Sequence, residues 1–205
     1  HLVAAGAEVY GTIWPVTDAA GLVPRHGEKE LVPCNVLDVM GLAEIVKRVQ
    51  PEGVIHLAGL AFVPAANRWP HRAYAANFLG AFHLLTAVKA HAPGARVLLV
   101  ASSDIYGRVP AERQPIAETA PLAPVSPYGV SKAAADLLGQ QFALGEKLAV
   151  VRARPFNHTG PDQHPDYVVP GLARQVARIE AGRQEPVVTL GDTTVVRDFT
   201  DVRDI

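Results

Sequence analysis

The stretch Ser126-Pro127-Tyr128-Gly129-Val130-Ser131-Lys132 combines a helix start with two titratable side chains. Ser126 is a preferred N-cap residue and proline is well tolerated in the first helical position, so the pattern predicts a helix that begins here. Tyr128 and Lys132 are four residues apart and fall on one face of that helix. A free phenol has a pKa of about 10, and a neighbouring ammonium favours its anion, so this pair is suited to moving a proton near neutral pH.

Upstream of this helix, the apolar run Val97–Val100 leads into Ala101-Ser102-Ser103-Asp104-Ile105-Tyr106-Gly107. A short, nearly continuous apolar run is typical of a strand buried on both faces of a parallel sheet. Similar runs at Val54–Ala58 and Leu148–Val151 alternate with helical patterns, which predicts an α/β fold with a doubly wound parallel sheet. Ligands of such sheets bind at the carboxyl ends of the strands, where Ser102 falls.

Hydrophobic periodicity and the positions of glycine and proline predict the remaining elements. The predicted helices are the tail of one helix at His1–Gly6 and complete helices at Leu42–Val49, Arg72–His91, Ser126–Leu144 and Tyr167–Ala181. Further strands are predicted at Ala7–Ile13, Glu30–Cys34 and Pro186–Leu190, and a loop at Asn67–Pro70.

The composition favours a globular protein with a sizeable core, since 49% of the 205 residues are hydrophobic and 19% are charged. A net charge of −1 gives no electrostatic reason to expect nucleic acid or an anionic membrane as a partner. The one cysteine, Cys34, excludes an internal disulfide and its apolar neighbours predict a buried, inert thiol. No apolar run approaches the roughly 20 residues of a membrane span, so we expect a cytoplasmic protein.

A family resemblance emerges when these features are read in order with Arg154-Pro155-Phe156-Asn157-His158-Thr159-Gly160-Pro161. The strand-end serine, the Tyr-x-x-x-Lys helix and this downstream motif resemble the extended short-chain dehydrogenase/reductase family over essentially the whole chain. Residues 173–182 and 197–204 are similar to its reductases of GDP-4-keto-6-deoxy-mannose. The resemblance implies a Rossmann-type NAD(P)-binding domain at 1–154 and the start of a smaller nucleotide-sugar-binding part at 155–205.

The resemblance also implies a reaction, the reduction of the C4 keto group of a GDP-linked 4-keto-6-deoxy-hexose to a GDP-rhamnose type product. Tyr128 would donate a proton to the C4 oxygen, and Lys132 would hold the nicotinamide ribose and favour the tyrosinate. Ser102 would donate a hydrogen bond to the developing oxyanion. Such a step belongs to deoxysugar biosynthesis and uses NADH or NADPH.

Matching family positions imply the residues that contact cofactor and substrate. The cofactor set is Asn35, Val36, Leu57, Ala58, Gly59, Ala101, Tyr128, Lys132, Pro155 and His158. The substrate set is Ser103, Asp104, Asn157 and Arg197, and the resemblance implies no metal. Asn35 stands where relatives have the first acid of an Asp-Leu-x-Asp motif that binds adenine.

Several of these positions have structural alternatives. Asp38 is also a candidate helix cap, and His56, inside an apolar strand, is interpreted as a hydrogen-bonded core histidine. Asn77 either supports the active site or forms a simple bond between helices. Arg197 either clamps the substrate diphosphate or pairs with Asp198 or Asp201.

The cofactor preference is open. Thr12, Ile13 and Trp14 stand where relatives carry an acid for the ribose hydroxyls or an arginine for a 2′-phosphate, although Arg25 could approach from the following loop. No glycine-rich turn precedes residue 7, so we expect the first strand and the phosphate-binding turn to be missing from this chain. The part at 155–205 is likewise expected to be truncated.

Two other functions compete with the reductase. A GDP-mannose 4,6-dehydratase, or another nucleotide-sugar epimerase or dehydratase, would need an acid-base group where Asp104 and Ser102 replace the glutamate and threonine of those relatives. Gln163 in place of an arginine also favours the reductase. A non-catalytic dinucleotide sensor is disfavoured because Ser102, Tyr128 and Lys132 are all present.

The resemblance further implies a homodimer formed by the helices at 72–91 and 126–144.

Overall fold

The computed structural model describes residues 2–14, 27 and 29–205. The chain divides into two compact units, residues 1–154 and residues 155–205. The predictions that involve His1 and Arg25 lie outside the described residues.

Five parallel strands of the first unit confirm the α/β class. Strand β1 (Tyr10–Ile13) pairs with β2 (Glu30–Pro33). Strands β3 (Gly53–His56), β4 (Arg96–Val100) and β5 (Ala149–Ala153) pair in that order. Within the described residues of the first unit, the parallel strands thus form two hydrogen-bonded groups, and Ser102 follows the central strand of the larger one.

Helices follow the strands in the first unit. Helix α1 (Val39–Val49) is capped by Asp38, whose side chain accepts a hydrogen bond from the Gly41 amide. After α2 (Val63–Arg68), helix α3 (Pro70–Ala73) continues through a π-helical turn (Tyr74–Leu79) into α4 (Gly80–His91). Helix α5 spans Pro127–Gly145, and short 3₁₀ turns occur at Ser103–Tyr106 and Ala111–Arg113.

One local prediction in this unit is wrong. The predicted loop at Asn67–Pro70 contains the end of α2 and the start of α3, because Pro64 and Pro70 each occupy a helix start, where a missing N–H is harmless. Residues 2–6 form hydrogen-bonded turns that end at Gly6. Its φ of +86°, with the bonds from Gly6 N to Val3 O and from Ala7 N to Leu2 O, is typical of a helix end and agrees with the predicted stop at Gly6. The prediction that Asp38 caps a helix is confirmed.

The core of the first unit lies between α1, α4 and the central sheet. Cys34 lies in this core, which confirms the prediction that it is buried. Burial raises the pKa of its thiol because it disfavours the thiolate. The buried residues of this core include Cys34, Val36, Leu42, Val46, Leu84, Leu85, Val88, Val97, Phe142 and Leu148.

The second unit contains helix α6 (Val168–Glu180) and two short parallel strands, β6 (Asn157–Thr159) and β7 (Phe199–Asp201). The strand predicted at Pro186–Leu190 does not form. The amide of Gln175 in α6 instead accepts from Thr189 N at 2.8 Å and donates to Thr189 O at 3.1 Å. A side chain thus satisfies backbone groups that a neighbouring strand would otherwise bind.

Candidate active site

Helix α5 places Tyr128 and Lys132 as the sequence predicts. Ser126 is the N-cap, its Oγ accepting from the Gly129 amide at 3.0 Å, and Pro127 is the first helical residue. Tyr128 is only 9% exposed and packs with Ala66 and Ala73 of the preceding helices. The phenol is therefore held by apolar neighbours that restrict its ring.

Lys132 reaches from α5 to the carboxyl end of β4. Its Nζ donates a hydrogen bond to the Val100 carbonyl at 2.8 Å. Burial lowers the pKa of Lys132 to about 8, because desolvation disfavours the ammonium. The group therefore remains mostly protonated at neutral pH.

Ser102 follows β4 by two residues and begins the 3₁₀ turn Ser103–Tyr106. Its Oγ accepts from the Asp104 amide at 3.2 Å and its backbone is extended. The hydroxyl proton is not required by that bond, so the side chain keeps a donor for an oxygen at the sheet edge.

The first turn of α5 packs directly on the serine turn, residues Ser102–Tyr106. A Cβ added to Gly129 would lie 2.8 Å from the Asp104 carbonyl oxygen and 3.0 Å from Pro124 Cβ, so a larger residue would push the two elements apart. Ile105, Tyr106 and Ala133 form a buried cluster beneath this contact. The structure therefore brings Ser102, Tyr128 and Lys132 to the same carboxyl edge of β4.

Asn77 connects this edge to the loop after β3. The side chain is 2% exposed. Its Oδ1 accepts from Leu60 N at 2.7 Å, and its Nδ2 donates to Leu60 O at 3.1 Å and to Ser131 Oγ at 2.8 Å. Ser131 in turn donates to the Tyr128 carbonyl at 2.7 Å. Asn77 therefore forms a hydrogen bond between helices, and the helix that it bonds, α5, carries Tyr128.

His56, the last residue of β3, is buried as expected, with 7% exposure. The expectation that it is hydrogen-bonded is wrong for one atom, since Nε2 has no hydrogen-bond partner among the described residues. Burial lowers the pKa of His56 to about 4, and the Lys132 ammonium adds to the shift. The ring is therefore a neutral group that presents an unsatisfied nitrogen near Lys132.

Asn35 and Val36, two residues of the predicted cofactor set, lie in a turn before α1. Asn35 Oδ1 accepts from the Leu37 amide at 2.9 Å, while the Val36 side chain is buried against Gly80. The Asn35 side chain is half-buried and keeps its amide donors for other partners.

The loop after β3 carries the predicted residues Leu57, Ala58 and Gly59. Leu57 is 73% exposed, and Gly59 has a φ of +155°. A Cβ at Gly59 would lie 2.4 Å from Asn77 Oδ1, so only glycine allows this approach. Ala101, which follows β4, is buried, and its amide donates to the Ala153 carbonyl.

The predicted residues of the second unit lie on and around β6 and β7. Asn157 and His158 are exposed in β6, and His158 Nδ1 lies 3.0 Å from the Phe156 carbonyl oxygen. Pro155 is half-buried. The alternative pairing of Arg197 with Asp201 is wrong, because that carboxylate binds Arg203, at 2.6 and 2.9 Å. Within the described residues Arg197 is exposed and forms no ion pair.

Ser103 and Asp104 lie in the turn that Ser102 begins, the first half-buried and the second exposed. Ser131 and Asp136 are both fully buried on α5 and are not among the predicted site residues. Asp136 lies four residues after Lys132 and eight after Tyr128, so its position on the same helix face was the available signal.

A surface depression lined by Gln50–Glu52 and Ala92–Arg96 lies elsewhere in the first unit. These residues precede β3 and β4 and include the first residue of β4. The depression is therefore at the amino end of the strands, opposite Ser102 and Lys132.

Comparison with known proteins shows the family of the chain. The family model described as GDP-mannose 4,6 dehydratase matches residues 1–205. The chain belongs to the GDP-mannose 4,6 dehydratase family. Its relatives include GDP-6-deoxy-D-mannose reductase of Pseudomonas aeruginosa, 44% identical over 155 residues, which are 76% of this chain and 51% of the relative. This member of the family thus spans about half the length of the curated relatives it matches.

Solved structures of related proteins show the same Rossmann-type α/β fold. RMD from Pseudomonas aeruginosa complexed with NADPH has a TM-score of 0.79 at 40% identity, over 85% of this chain and 59% of that chain. The UDP-glucose 4-epimerase of Thermus thermophilus in complex with NAD has a TM-score of 0.82 at 30% identity, over 99% of this chain and 65% of that chain.

Among the described helices of this family member, none has the length and apolar character that crossing a bilayer requires.

Proposed function

We propose that this chain is part of a reductase that converts the C4 ketone of a GDP-linked 4-keto-6-deoxy-hexose to an alcohol. The observation that carries the proposal is the gathering of Ser102, Tyr128 and Lys132 at the carboxyl edge of β4. The similarity to GDP-6-deoxy-D-mannose reductase supports the substrate class. We further propose that residues 1–154 bind the dinucleotide and that residues 155–205 begin the sugar-nucleotide site.

Reduced nicotinamide, when bound, supplies the hydride that adds to the C4 carbon of the sugar. As the carbonyl electron pair moves onto the C4 oxygen, Tyr128 donates its phenolic proton to that oxygen, which completes the alcohol. Lys132 stabilises the tyrosinate that remains, because it keeps a charge close by on the same helix face. Ser102 donates a hydrogen bond to the oxygen while its charge develops.

The residues present suit a dinucleotide. Among the described residues Lys132 has one hydrogen-bond acceptor, Val100 O, so two of its three donors remain for ribose hydroxyls. The loop at Leu57–Gly59 lies at the same edge of the sheet, and Gly59 holds its backbone close to Asn77. His56 Nε2 offers a further unsatisfied polar atom near Lys132. Asn35, Val36, Ala101, Pro155 and His158 complete the proposed cofactor set.

The proposed substrate contacts are Ser103, Asp104, Asn157 and Arg197. Exposure of Asp104, Asn157 and Arg197 supports this role, since none is consumed by a buried internal bond. A guanidinium suits a diphosphate because its planar fork matches two phosphate oxygens.

We also propose that the protein is a cytoplasmic homodimer that uses α5 as part of its interface. Val130, Leu137 and Leu144 are 42%, 53% and 64% exposed, and their spacing of seven places them along one stripe of α5. Such a stripe is self-complementary in a twofold dimer, so a second copy is the proposed occupant. Leu137→Lys is expected to give a monomer by sedimentation, whereas an unchanged dimer would contradict this interface.

Full-length protein supplied with GDP-4-keto-6-deoxy-mannose and either NADPH or NADH tests the reaction. Oxidation of the nicotinamide that depends on the sugar nucleotide supports the reductase, and the faster cofactor settles the preference between NADP and NAD. Consumption of GDP-mannose without added reductant would identify a dehydratase instead. Nucleotide binding without turnover would identify a sensor.

A further inference from the structure

A buried ion cluster lies one helical turn beyond Lys132, on the face of α5 that carries Tyr128. Asp136 is 0% exposed. Arg154 binds its carboxylate in a bidentate fork, with Nε donating to Oδ1 at 2.9 Å and Nη2 donating to Oδ2 at 2.8 Å. Arg152 Nη1 also donates to Oδ2, at 2.6 Å. No step of the proposed reaction uses these charges directly.

The Arg154 guanidinium extends this cluster to the serine turn. Its Nη1 donates to the Tyr106 hydroxyl at 2.8 Å and to the Glu118 carbonyl at 2.7 Å. The guanidinium carbon lies 5.5 Å from the centre of the Tyr106 ring. Tyr106 is 4% exposed and is the last residue of the 3₁₀ turn that Ser102 begins. The Arg154 side chain, which directly follows β5, therefore joins α5, the serine turn and the loop at Glu118.

The two elements joined in this way carry the reacting groups. Tyr128 and Lys132 move with α5, whereas Ser102 moves with the turn that ends at Tyr106. Their separation therefore depends on how the turn is held against the helix. A small displacement of a positioned group can reduce a rate greatly, because the hydrogen bond to the reacting oxygen depends on geometry.

We propose that Arg154, Asp136 and Tyr106 form a positioning network that holds the Ser102 hydroxyl in register with Tyr128. The inference rests on the proposed function, since it assumes that both side chains act on one substrate oxygen. Arg152 is the matched control. It binds the same carboxylate but does not reach Tyr106, and Arg152→Gln leaves the fork between Arg154 and Asp136 in place.

A double-mutant cycle in the full-length enzyme tests this role. Tyr106→Phe, which removes one hydroxyl, is expected to lower kcat about tenfold while KM for the sugar nucleotide changes less than about twofold. In the Ser102→Ala background the same change should have almost no effect, because the group that it positions is gone. Arg152→Gln should leave kcat unchanged. Equal losses from Tyr106→Phe in both backgrounds, or a loss from Arg152→Gln as large, would overturn the proposal.

Amide hydrogen exchange separates this network from the proposed reaction. Tyr106→Phe and Arg154→Lys should speed exchange about tenfold in residues 102–107 and leave the core segment 84–88 of α4 unchanged. This readout needs no turnover, so an inactive wild-type protein would reject the reaction without deciding the network. Unchanged exchange in residues 102–107, or the same increase in both segments, would overturn the network. Should Arg154→Lys fail to fold, Tyr106→Phe decides the result.

Discussion

The two units of this chain use the same kind of ion pair in different ways. In the first unit Asp136 is fully buried and binds two arginines that are 16 and 18 residues away. In the second unit Asp201 binds Arg203 two residues along the chain, and the two side chains are 35% and 69% exposed. The buried pair joins separate elements, whereas the exposed pair holds one turn. We therefore expect the proposed catalytic side chains, which lie in the first unit, to be held in a fixed geometry.

The apolar residues show the same contrast. Leu85, Val88 and Val97 are completely buried in the first unit. Helix α6 of the second unit has no buried residue, and Val196 is 90% exposed. Stability should therefore depend on single side chains far more in residues 1–154 than in residues 155–205.

The largest expected effect comes from breaking the buried ion cluster. Asp136→Ala leaves two guanidinium groups without their carboxylate and should lower the free energy of unfolding by about 4 kcal/mol. Asp201→Ala should have little effect, since its pair is open to solvent. Urea unfolding of the two variants measures both changes. Similar losses at the two sites would contradict the contrast between the units.

A matched pair of apolar truncations should give the next largest difference. Leu85→Ala creates a cavity in a completely buried site and should destabilise the protein by about 3 kcal/mol. Val176→Ala on α6, where the side chain is 46% exposed, should change stability by less than about 0.5 kcal/mol. Thermal unfolding of both variants checks the ratio, and equal shifts in Tm would show that α6 is buried in solution.

The pH dependence of unfolding tests the burial of His56 in the first unit. The pKa of His56 falls from 6.5 to about 4 on folding, so between these values the unfolded chain binds more protons and stability is lost as pH falls. This contributes about 2 kcal/mol or more of acid destabilisation. His56→Gln should flatten the pH dependence of unfolding between pH 4 and about 6.5, measured by urea titration at each pH. An unchanged slope would show that His56 is not buried as a neutral ring.

The smallest of these effects concerns the start of α5. Ser126→Ala removes the hydrogen bond to the Gly129 amide and should cost about 1 kcal/mol of stability. Ser126→Asp keeps an acceptor and should restore it. Thermal unfolding distinguishes these outcomes, and equal stability in all three proteins would show that the cap is not needed.

Local chemistry explains which parts of the fold the sequence could predict. The Ser126 cap, the helix behind Pro127 and the strands before Ser102 depend on neighbouring residues, and these predictions are confirmed. The strand at Pro186–Leu190 was wrong because Gln175 replaces a partner strand, which no local pattern reveals.

Contacts between distant residues explain what could not be predicted at the site. Asn77 and Ser131 are 54 residues apart, and Tyr106 and Arg154 are 48 apart. In sequence, only its helical spacing from Lys132 distinguishes Asp136 from an ordinary solvated helix residue, and the fold brings two arginines to it. The proposed catalytic residues follow a local motif, whereas the residues that hold them do not.

The most direct test of the central claim compares turnover of full-length wild-type protein with Tyr128→Phe and with Tyr10→Phe, whose hydroxyl binds an exposed glutamate. With GDP-4-keto-6-deoxy-mannose and reduced nicotinamide, Tyr128→Phe should lower kcat about a thousandfold, and Tyr10→Phe should leave it unchanged. Turnover that survives Tyr128→Phe at the wild-type rate would contradict the proposed proton transfer from Tyr128 to the C4 oxygen.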